Sequence, residues 1–326
     1  MKILWTHNFT PDVKNSGMFM HTMRKGLQDN GLDIDTLYLG NLRSISGIYN
    51  AIRSVIKKSV EYDIVHAQFG SVCGFVTMFA RGPKIISLRG SDWHKYNGAN
   101  FNTRIHNFLS RLLTRISLIN YKNIIVMSNR MKKEVEKSHK SKKISVITDP
   151  IDLEMFNFAI KNNDSNDLQK RSNEKKYILF TSIHKKNPIK RIDLAHKAIQ
   201  IAQISDPNIE IAIASGIDNK DMPSFISSCD LILLTSHYEG WPNCVKEALA
   251  CGLPFISTDV SDLSEIASRR NNCRIVTEEP EIIAKNILEV LQMGKDISLI
   301  DEVRNMSLNH AYNKVISFYE LALKNE

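Results

Sequence analysis

Short apolar runs and amphipathic stretches alternate along the first half of the chain. KILWTH, DIDTLYL, DIVHAQF, KIISLRG, NIIVMS and KISVIT read as strands, most of them too apolar for a sheet with one wet face. HTMRKGLQDNG, IRSVIKKSV and the segment from Thr103 to Asn120 read as helices. This alternation predicts a parallel sheet covered on both faces. Ligands of such sheets bind at the carboxyl ends of strands, which places His7, His66, Arg89 and Asp92 well by topology alone. From Phe156 to Lys176 the chain is polar, rich in Asn and charge, and lacks apolar periodicity, so it reads as a linker or surface excursion. A second series follows, with YILFTSI, IEIAIAS, DLILLTS, PFIST and CRIVT as strands and a helical tail from about Ile297 to Glu326.

One helix needs separate mention. TRIHNFLSRLLTRISLIN carries Ile105, Phe108, Leu109, Leu112 and Ile116 on one side and Arg104, Arg111 and Arg115 on others. Such a pattern usually marks a helix that faces a core. The alternative is a basic amphipathic helix lying on an anionic membrane.

The chain has 326 residues, enough for two domains of ordinary size. Its composition is that of a globular protein, and no apolar run approaches the roughly 20 residues of a membrane span. MKILWTHNF lacks the apolar stretch and cleavage site of a signal peptide. The cysteines form no CxxC pair and no metal-like spacing with histidine, so they read as reduced thiols of a cytoplasmic protein. The net charge of +8 is uneven. Residues 1–155 hold 23 Lys and Arg against 12 Asp and Glu, whereas the remainder is slightly acidic. The first half therefore suits an anionic partner: a phospholipid surface, a lipid-linked phosphate or nucleic acid. The last is disfavoured, because no aromatic-interleaved basic motif or nucleic-acid module is present. The absence of GxGxxG argues against a dinucleotide-dependent oxidoreductase.

The most specific segment is YEGWPNCVKEALACGLP, Tyr238 to Pro254. The strand DLILLTS ends in a polar turn, and a short helix is predicted with Pro242 at its first position and Gly252 just past its end. Glu239 then lies on the turn and Glu247 near the helix middle. A helix start supplies free N–H groups and a positive dipole end, a seat for phosphate. A carboxylate in front of that seat and another within reach of it suit the hydroxyls of a nucleotide sugar. The plainer alternative is a strand–turn–helix with a buried acid.

Glu239, Gly240, Pro242, Glu247, Ala248, Ala250, Gly252 and Pro254 together resemble the signature of the family 4 glycosyltransferases. NSGMFMHTMRKGLQDNG is similar to that family's first glycine-containing loop, and ISVITDPIDLEMF to the strand leading into its linker. The resemblance implies the GT-B fold, α/β with two Rossmann-like domains facing each other across a cleft. It would put an acceptor-binding domain at 1–155, a linker at 156–176 and a nucleotide-sugar domain at 177–304. The final helix, about 305–326, would cross back to the N-terminal domain through Tyr312, Val315, Ile316 and Tyr319. It further implies a retaining enzyme acting without a metal or other cofactor. The donor would be a nucleotide sugar, foremost a UDP-sugar, and the acceptor a glycan or lipid-linked molecule. Capsule, lipopolysaccharide or exopolysaccharide synthesis is the implied setting, at the inner face of a bacterial plasma membrane.

By the same resemblance Glu239 contacts the transferred sugar, Glu247 binds the ribose diol, and Lys190 clamps the diphosphate. Gly17, Gly240, Trp241, Pro242 and Asn243 belong to the donor site. His184 stands where the family has Arg, with Lys185 or Lys186 as substitute charge. Arg89 replaces the family's sugar-contacting His, with Asp92 as its partner, and His66 joins Asp92 toward the acceptor. A purely structural Arg89–Asp92 pair is the competing reading. Asp33-Ile34-Asp35 matches a metal-binding DxD but lies in an alternating strand, which favours a solvated edge. The rival functions are an epimerase or phosphorylase on the same fold, and a degenerate sugar-binding subunit without catalysis.

Overall fold

The computed structural model describes residues 1–10, 17–96, 101–156, 175–182 and 187–324. It divides into two compact units, Met1–Pro150 with Leu308–Glu326, and Ile151–Ser307.

The first unit holds six parallel strands: β1 (Lys2–His7), β2 (Asp33–Tyr38), β3 (Ile64–Ala67), β4 (Lys84–Leu88), β5 (Asn123–Val126) and β6 (Lys143–Val146). Their order is β2-β1-β3-β4-β5-β6, so the direction of winding reverses between β1 and β3. Such a reversal opens a crevice at the carboxyl ends of the strands. Helices α1 (Met18–Asp29), α2 (Ile45–Ser59), α3 (Ser71–Thr77), α4 (Phe101–Ser117) and α5 (Asn129–Ser138) connect them. The Ser44 hydroxyl caps α2 by accepting from Gly47 N, and Ser128 caps α5 by accepting from Met131 N. Leu4, Val65, Ile86, Ile124 and Val126 form the centre of the core, with Val55 and Val135 from the covering helices.

The apolar stripe of α4 does not face this core. Phe101 is 74% exposed and Phe108 59%, and Ile105, Leu109, Leu112 and Ile116 are also exposed. Its buried residues are Thr114 and Ser117. Ser71 N donates to Thr114 Oγ1 (2.7 Å) and Tyr96 N to Asn107 Oδ1 (3.1 Å), so α4 attaches through its small polar face. Glycines on α3 permit the approach: a Cβ at Gly70 would lie 2.8 Å from both Asp92 Oδ2 and Thr114 Oγ1. The usual core-facing reading of this helix is thereby corrected.

The second unit holds β7 (Lys176–Thr181), β8 (Ile209–Ala214), β9 (Leu231–Leu234), β10 (Phe255–Ser257) and β11 (Arg274–Ile275), in the order β11-β10-β9-β7-β8. Winding again reverses, here between β7 and β9. Helices α6 (Ile192–Ser205), α7 (Met222–Ser227), α8 (Asn243–Ala250), α9 (Leu263–Ala267) and α10 (Pro280–Met293) follow the strands. Ile178, Phe180, Leu231, Leu233 and Ile256 pack on Leu194, Ala198 and Ile199 of α6 and Ile283 and Ile287 of α10.

Ile151–Met155, read from sequence as the end of the first domain, and Phe156, read as the start of the linker, are grouped with this unit. Ile151 N donates to Met306 O, and Phe156 O accepts from Cys251 Sγ. The final helix, α11 (Leu308–Leu323), belongs to the first unit, with Tyr312, Val315 and Tyr319 buried and Ile316 half-buried. The polar segment 157–174 lies outside the described residues.

Candidate functional site

In the second unit the loops after β7 and β9 flank the winding reversal. Lys190 lies at the end of the first loop and Glu239 on the second, and Lys190 Nζ meets Glu239 Oε1 at 2.7 Å. Ser236 Oγ donates to the same oxygen, also at 2.7 Å. Both contacts fall on Oε1. Burial opposes the charge on Lys190, but Cys244 and Glu239 outweigh it and raise its pKa above the ordinary lysine value. Lys190 therefore stays a cation.

The backbone behind Lys190 is braced. Thr235 Oγ1 donates to Lys190 O (2.7 Å) and shares that hydrogen with Arg191 O (3.0 Å). Arg191 has φ 50° and ψ 56°, a left-handed conformation costly for any residue with a Cβ. Its Nε donates to Thr235 O (2.6 Å) and its Nη1 pairs with Glu278 (2.5 Å), which holds the turn in place. Sequence reading missed Arg191 and Thr235, because their contribution is a brace formed by segments 44 residues apart, and it missed Ser236, three residues before Glu239 on the same loop.

Helix α8 begins one residue later than the sequence suggested. Pro242 is the cap, with extended ψ of 108°, and Asn243 is the first helical residue. A proline's preference for the first turn extends to this flanking place, since it again spares no N–H that the helix needs. No side chain caps α8, so its first N–H groups stay available to an anion. Gly240 O accepts from Ser261 Oγ (2.7 Å), and Trp241 is buried with Lys246 Nζ 5.6 Å from its ring centroid. Gly252 ends the helix with φ 72°.

The Glu247 side chain, on α8, makes no hydrogen bond or ion pair among the described residues. Burial pushes its carboxyl up from an ordinary 4.5 to about 7, against a smaller pull downward from Lys246. Cys244, one helical turn earlier, lies within electrostatic reach of Lys190, Glu239 and Glu247. The three charged groups thus gather at one end of the second sheet. His184, Lys185 and Lys186 lie outside the described residues.

In the first unit Gly17 starts α1 with φ 68°, and a Cβ there would lie 2.9 Å from the Phe9 ring. Only glycine fits that turn. Arg89 does not pair with Asp92. Its guanidinium forms an ion pair with Asp149, donates to Gln68 O (3.2 Å) and Oε1 (3.3 Å), and lies over the Phe19 ring. Asp92 instead accepts from the backbone N–H groups of Gly70, Arg89 and Gly90. Burial raises its pKa, and those N–H groups counter it. Asp92 is therefore the staple of the β4 turn, not the counter-ion of Arg89. His66 is fully enclosed. Its Nδ1 bonds Tyr319 OH (2.6 Å) and its Nε2 bonds Ser87 Oγ (2.8 Å), and burial followed by Arg89 lowers its pKa to about 3. His66, Gln68, Ser87, Arg89, Asp149 and Tyr319 line a cavity of only about 20 Å³, and Asp92 does not. His7 is buried with Nδ1 unpaired, its pKa lowered to about 4 by burial and then by His21 and Arg24. Asp33 and Asp35 lie on β2, where Asp35 accepts from Tyr62 OH (2.7 Å). Among the described residues no cluster of three His, Cys, Asp or Glu could hold a metal.

Two family models match this chain. Residues 19–155 fit "Glycosyltransferase Family 4" and residues 194–293 fit "Glycosyl transferases group 1". A curated relative of Bacillus subtilis (strain 168), named as a teichuronic acid biosynthesis glycosyltransferase, TuaC, is 21% identical over 260 residues. That match takes in 74% of this chain and 64% of TuaC, so the chain spans less than two thirds of the length of that relative. Among solved structures, Anabaena HepE in complex with UDP and glucose superposes with TM-score 0.67 at 12% identity, covering 98% of this chain and 100% of that one. Sucrose-phosphate synthase from Thermosynechococcus elongatus gives 0.67 at 14%, covering 99% and 96%. These likenesses, with the two parallel sheets, show an α/β two-domain GT-B fold.

Proposed function

The chain belongs to the family 4 glycosyltransferases, and we propose that it moves a sugar from a nucleoside-diphosphate donor, foremost a UDP-sugar, to a glycan or lipid-linked acceptor. Retention of anomeric configuration, a metal-independent reaction and a setting in cell-surface polysaccharide synthesis belong to the same proposal. The observation that carries it is Glu247, a half-buried carboxylate with no side-chain partner among the described residues, beside an ion-paired lysine and an uncapped helix start. Such a carboxylate is open to a ligand, and a ribose diol offers it two hydroxyl donors.

The roles follow from charge. As the bond to the diphosphate breaks, negative charge grows on the leaving oxygen, and preorganised donors stabilise it most. Lys190 and the first N–H groups of α8 supply those donors. Glu239 holds Lys190 through Oε1 and offers Oε2 to the sugar. Arg191, Thr235 and Glu278 fix the turn that aims Lys190. The test is calorimetric titration with UDP of the natural protein and of Glu247→Ala. The proposal expects binding by the first and a loss of roughly 10- to 150-fold in the second, the worth of a charge-assisted hydrogen bond. No binding of UDP or any other nucleoside diphosphate by the natural protein overturns it.

A further inference from the structure

Among the described residues each sheet ends in two edge strands, whose outer N–H and C=O groups no further strand takes up. Three of these four edges are short or carry charge. β2 exposes Asp33 and Asp35, Lys142 and Lys143 stand at the start of β6, and β11 is two residues long, one of them Arg274. β8 is the counterpart of β2 in the second unit, since each lies at the edge beside the first strand of its sheet. Its sequence is IEIAIA, and its one charge, Glu210, is paired with Lys175 at 2.6 Å. Lys176 N donates to Asn208 O (2.8 Å), and Lys176 is in parallel register with Ile209. The even-numbered residues of β8 therefore turn their backbone groups toward β7, and Ile211 and Ile213 turn theirs outward. The side chains of Ile211 and Ile213 are half-buried and share with Ile209 the face that packs on α6 and α10, while Glu210 and Ala212 point to the other face.

We propose that β8 is a dimerisation edge, to which a second copy of the chain adds its own β8 in antiparallel sense, joining two five-stranded sheets into one. The occupant follows from the strand itself, whose central Ile-Ala-Ile reads the same in both directions about Ala212. A two-fold axis there sets Ile211 opposite Ile213 of the second copy, and Ile213 opposite its Ile211. These are the residues with outward backbone groups, so each such pair exchanges two N–H···O=C bonds. The four isoleucines then form β-branched cross-strand pairs on one face of the joined sheet. Ala212 meets its own copy at the non-hydrogen-bonded position, where Cα atoms lie about 4.5 Å apart and a small side chain fits. Charge agrees with this register, because Glu210 falls opposite Ala214 instead of another acid and keeps its pair with Lys175. Antiparallel joining points the carboxyl ends of the two sheets in opposite directions, so each copy keeps its own candidate site. The inference rests on the second unit alone and stands apart from the proposed function.

Sedimentation of the whole protein reads the dimer. One strand and its flanks make an interface below about 1,200 Å², the size of weak associations, so the concentration series runs from about 1 to about 100 μM. A dimer is expected at the upper end, and a monomer throughout overturns the inference. Ala212→Lys and Ala212→Glu each set like charges against each other across the axis and should raise the dissociation constant by about tenfold or more. Mixing the two variants should restore association as a heterodimer, because the proposed register brings the two positions together. Variants that dimerise as the natural protein does, or a mixture that associates no better than either variant alone, overturn it. Amide hydrogen exchange of the natural protein needs no substitution and so covers the case of a variant that fails to fold. Exchange at Ile211 and Ile213 should slow across the same concentration series while the amides of β2 stay constant. Fast exchange at those two amides at every concentration overturns the inference. Slow exchange at every concentration in a monomer overturns it too, and would show that the edge is covered from within the chain.

Discussion

Glu247→Gln is expected to stabilise the protein while weakening its hold on UDP. The glutamine keeps the shape and helix preference of the glutamate and removes its ionisation. Burial raises the Glu247 pKa from 4.5 to about 7, so the unfolded chain releases this proton first as pH rises. The native state is thus fully favoured below about pH 4.5 and loses stability as pH climbs through about 7. A gap of roughly 2.5 units corresponds to about 3 kcal/mol at pH 8, which the amide does not lose. Urea unfolding at pH 5 and pH 8 measures it: the natural protein and the variant should be closest at pH 5 and diverge at pH 8, with the variant the more stable. Ligand binding should run the opposite way. A ribose diol donates to the ionised carboxylate, so UDP affinity should rise as pH rises through 7, and binding near pH 6 should release a proton. That release is read from the dependence of calorimetric enthalpy on buffer, and the part due to Glu247 vanishes in the glutamine variant while UDP's own titration does not. Parallel unfolding profiles with equal UDP affinities would refute the reasoning, because the carboxyl would then be neither desolvated nor in contact with nucleotide.

Three further expectations follow. Lys190→Ala should lower kcat more than donor affinity, since the leaving oxygen bears most charge in the transition state; steady-state kinetics showing full turnover with a verified substrate would remove the clamp. Arg89→Ala removes the ion-pair partner of the largely enclosed Asp149 and should cost about 3–5 kcal/mol in urea unfolding, and Arg89→Met with Asp149→Leu together should cost less. Turnover should persist in EDTA, with Lys190 and the α8 N–H groups carrying the diphosphate charge, and a strict metal requirement would instead return attention to Asp33 and Asp35.

Period and apolar content were enough to locate the strands of both sheets, because a parallel strand buried on both faces is written as one short apolar word. The signature segment likewise announced its turn and helix. The Lys190–Glu239 contact was not legible in the residues themselves, since it joins positions 49 apart whose meeting depends on strand order. The same holds for Arg89 and Asp149, 60 apart, where the sequence-adjacent Asp92 looked the obvious partner but serves backbone N–H groups instead. The orientation of α4 failed for a different reason. Periodicity tells that a helix has two unlike faces, and which one meets the protein is settled by what the neighbours accept, here the glycines of α3 and the hydroxyl of Thr114.

The hydrogen bonds that Tyr319 OH makes with Trp5 Nε1 (2.9 Å) and His66 Nδ1 (2.6 Å) tie the first and third strands to the last helix. On the ribosome this reverses the usual order of events, in which the N-terminal domain folds first. The second unit is continuous, Ile151–Ser307, and has all its parts once Ser307 emerges. The first unit has made its whole sheet by then but still lacks α11, and Trp5, His66 and the Gly26 surface that Tyr312 covers must wait. The part of the chain synthesised earliest is therefore the last to finish folding, and a nascent chain halted before Leu308 would present that bare flank to chaperones while its second unit was already complete.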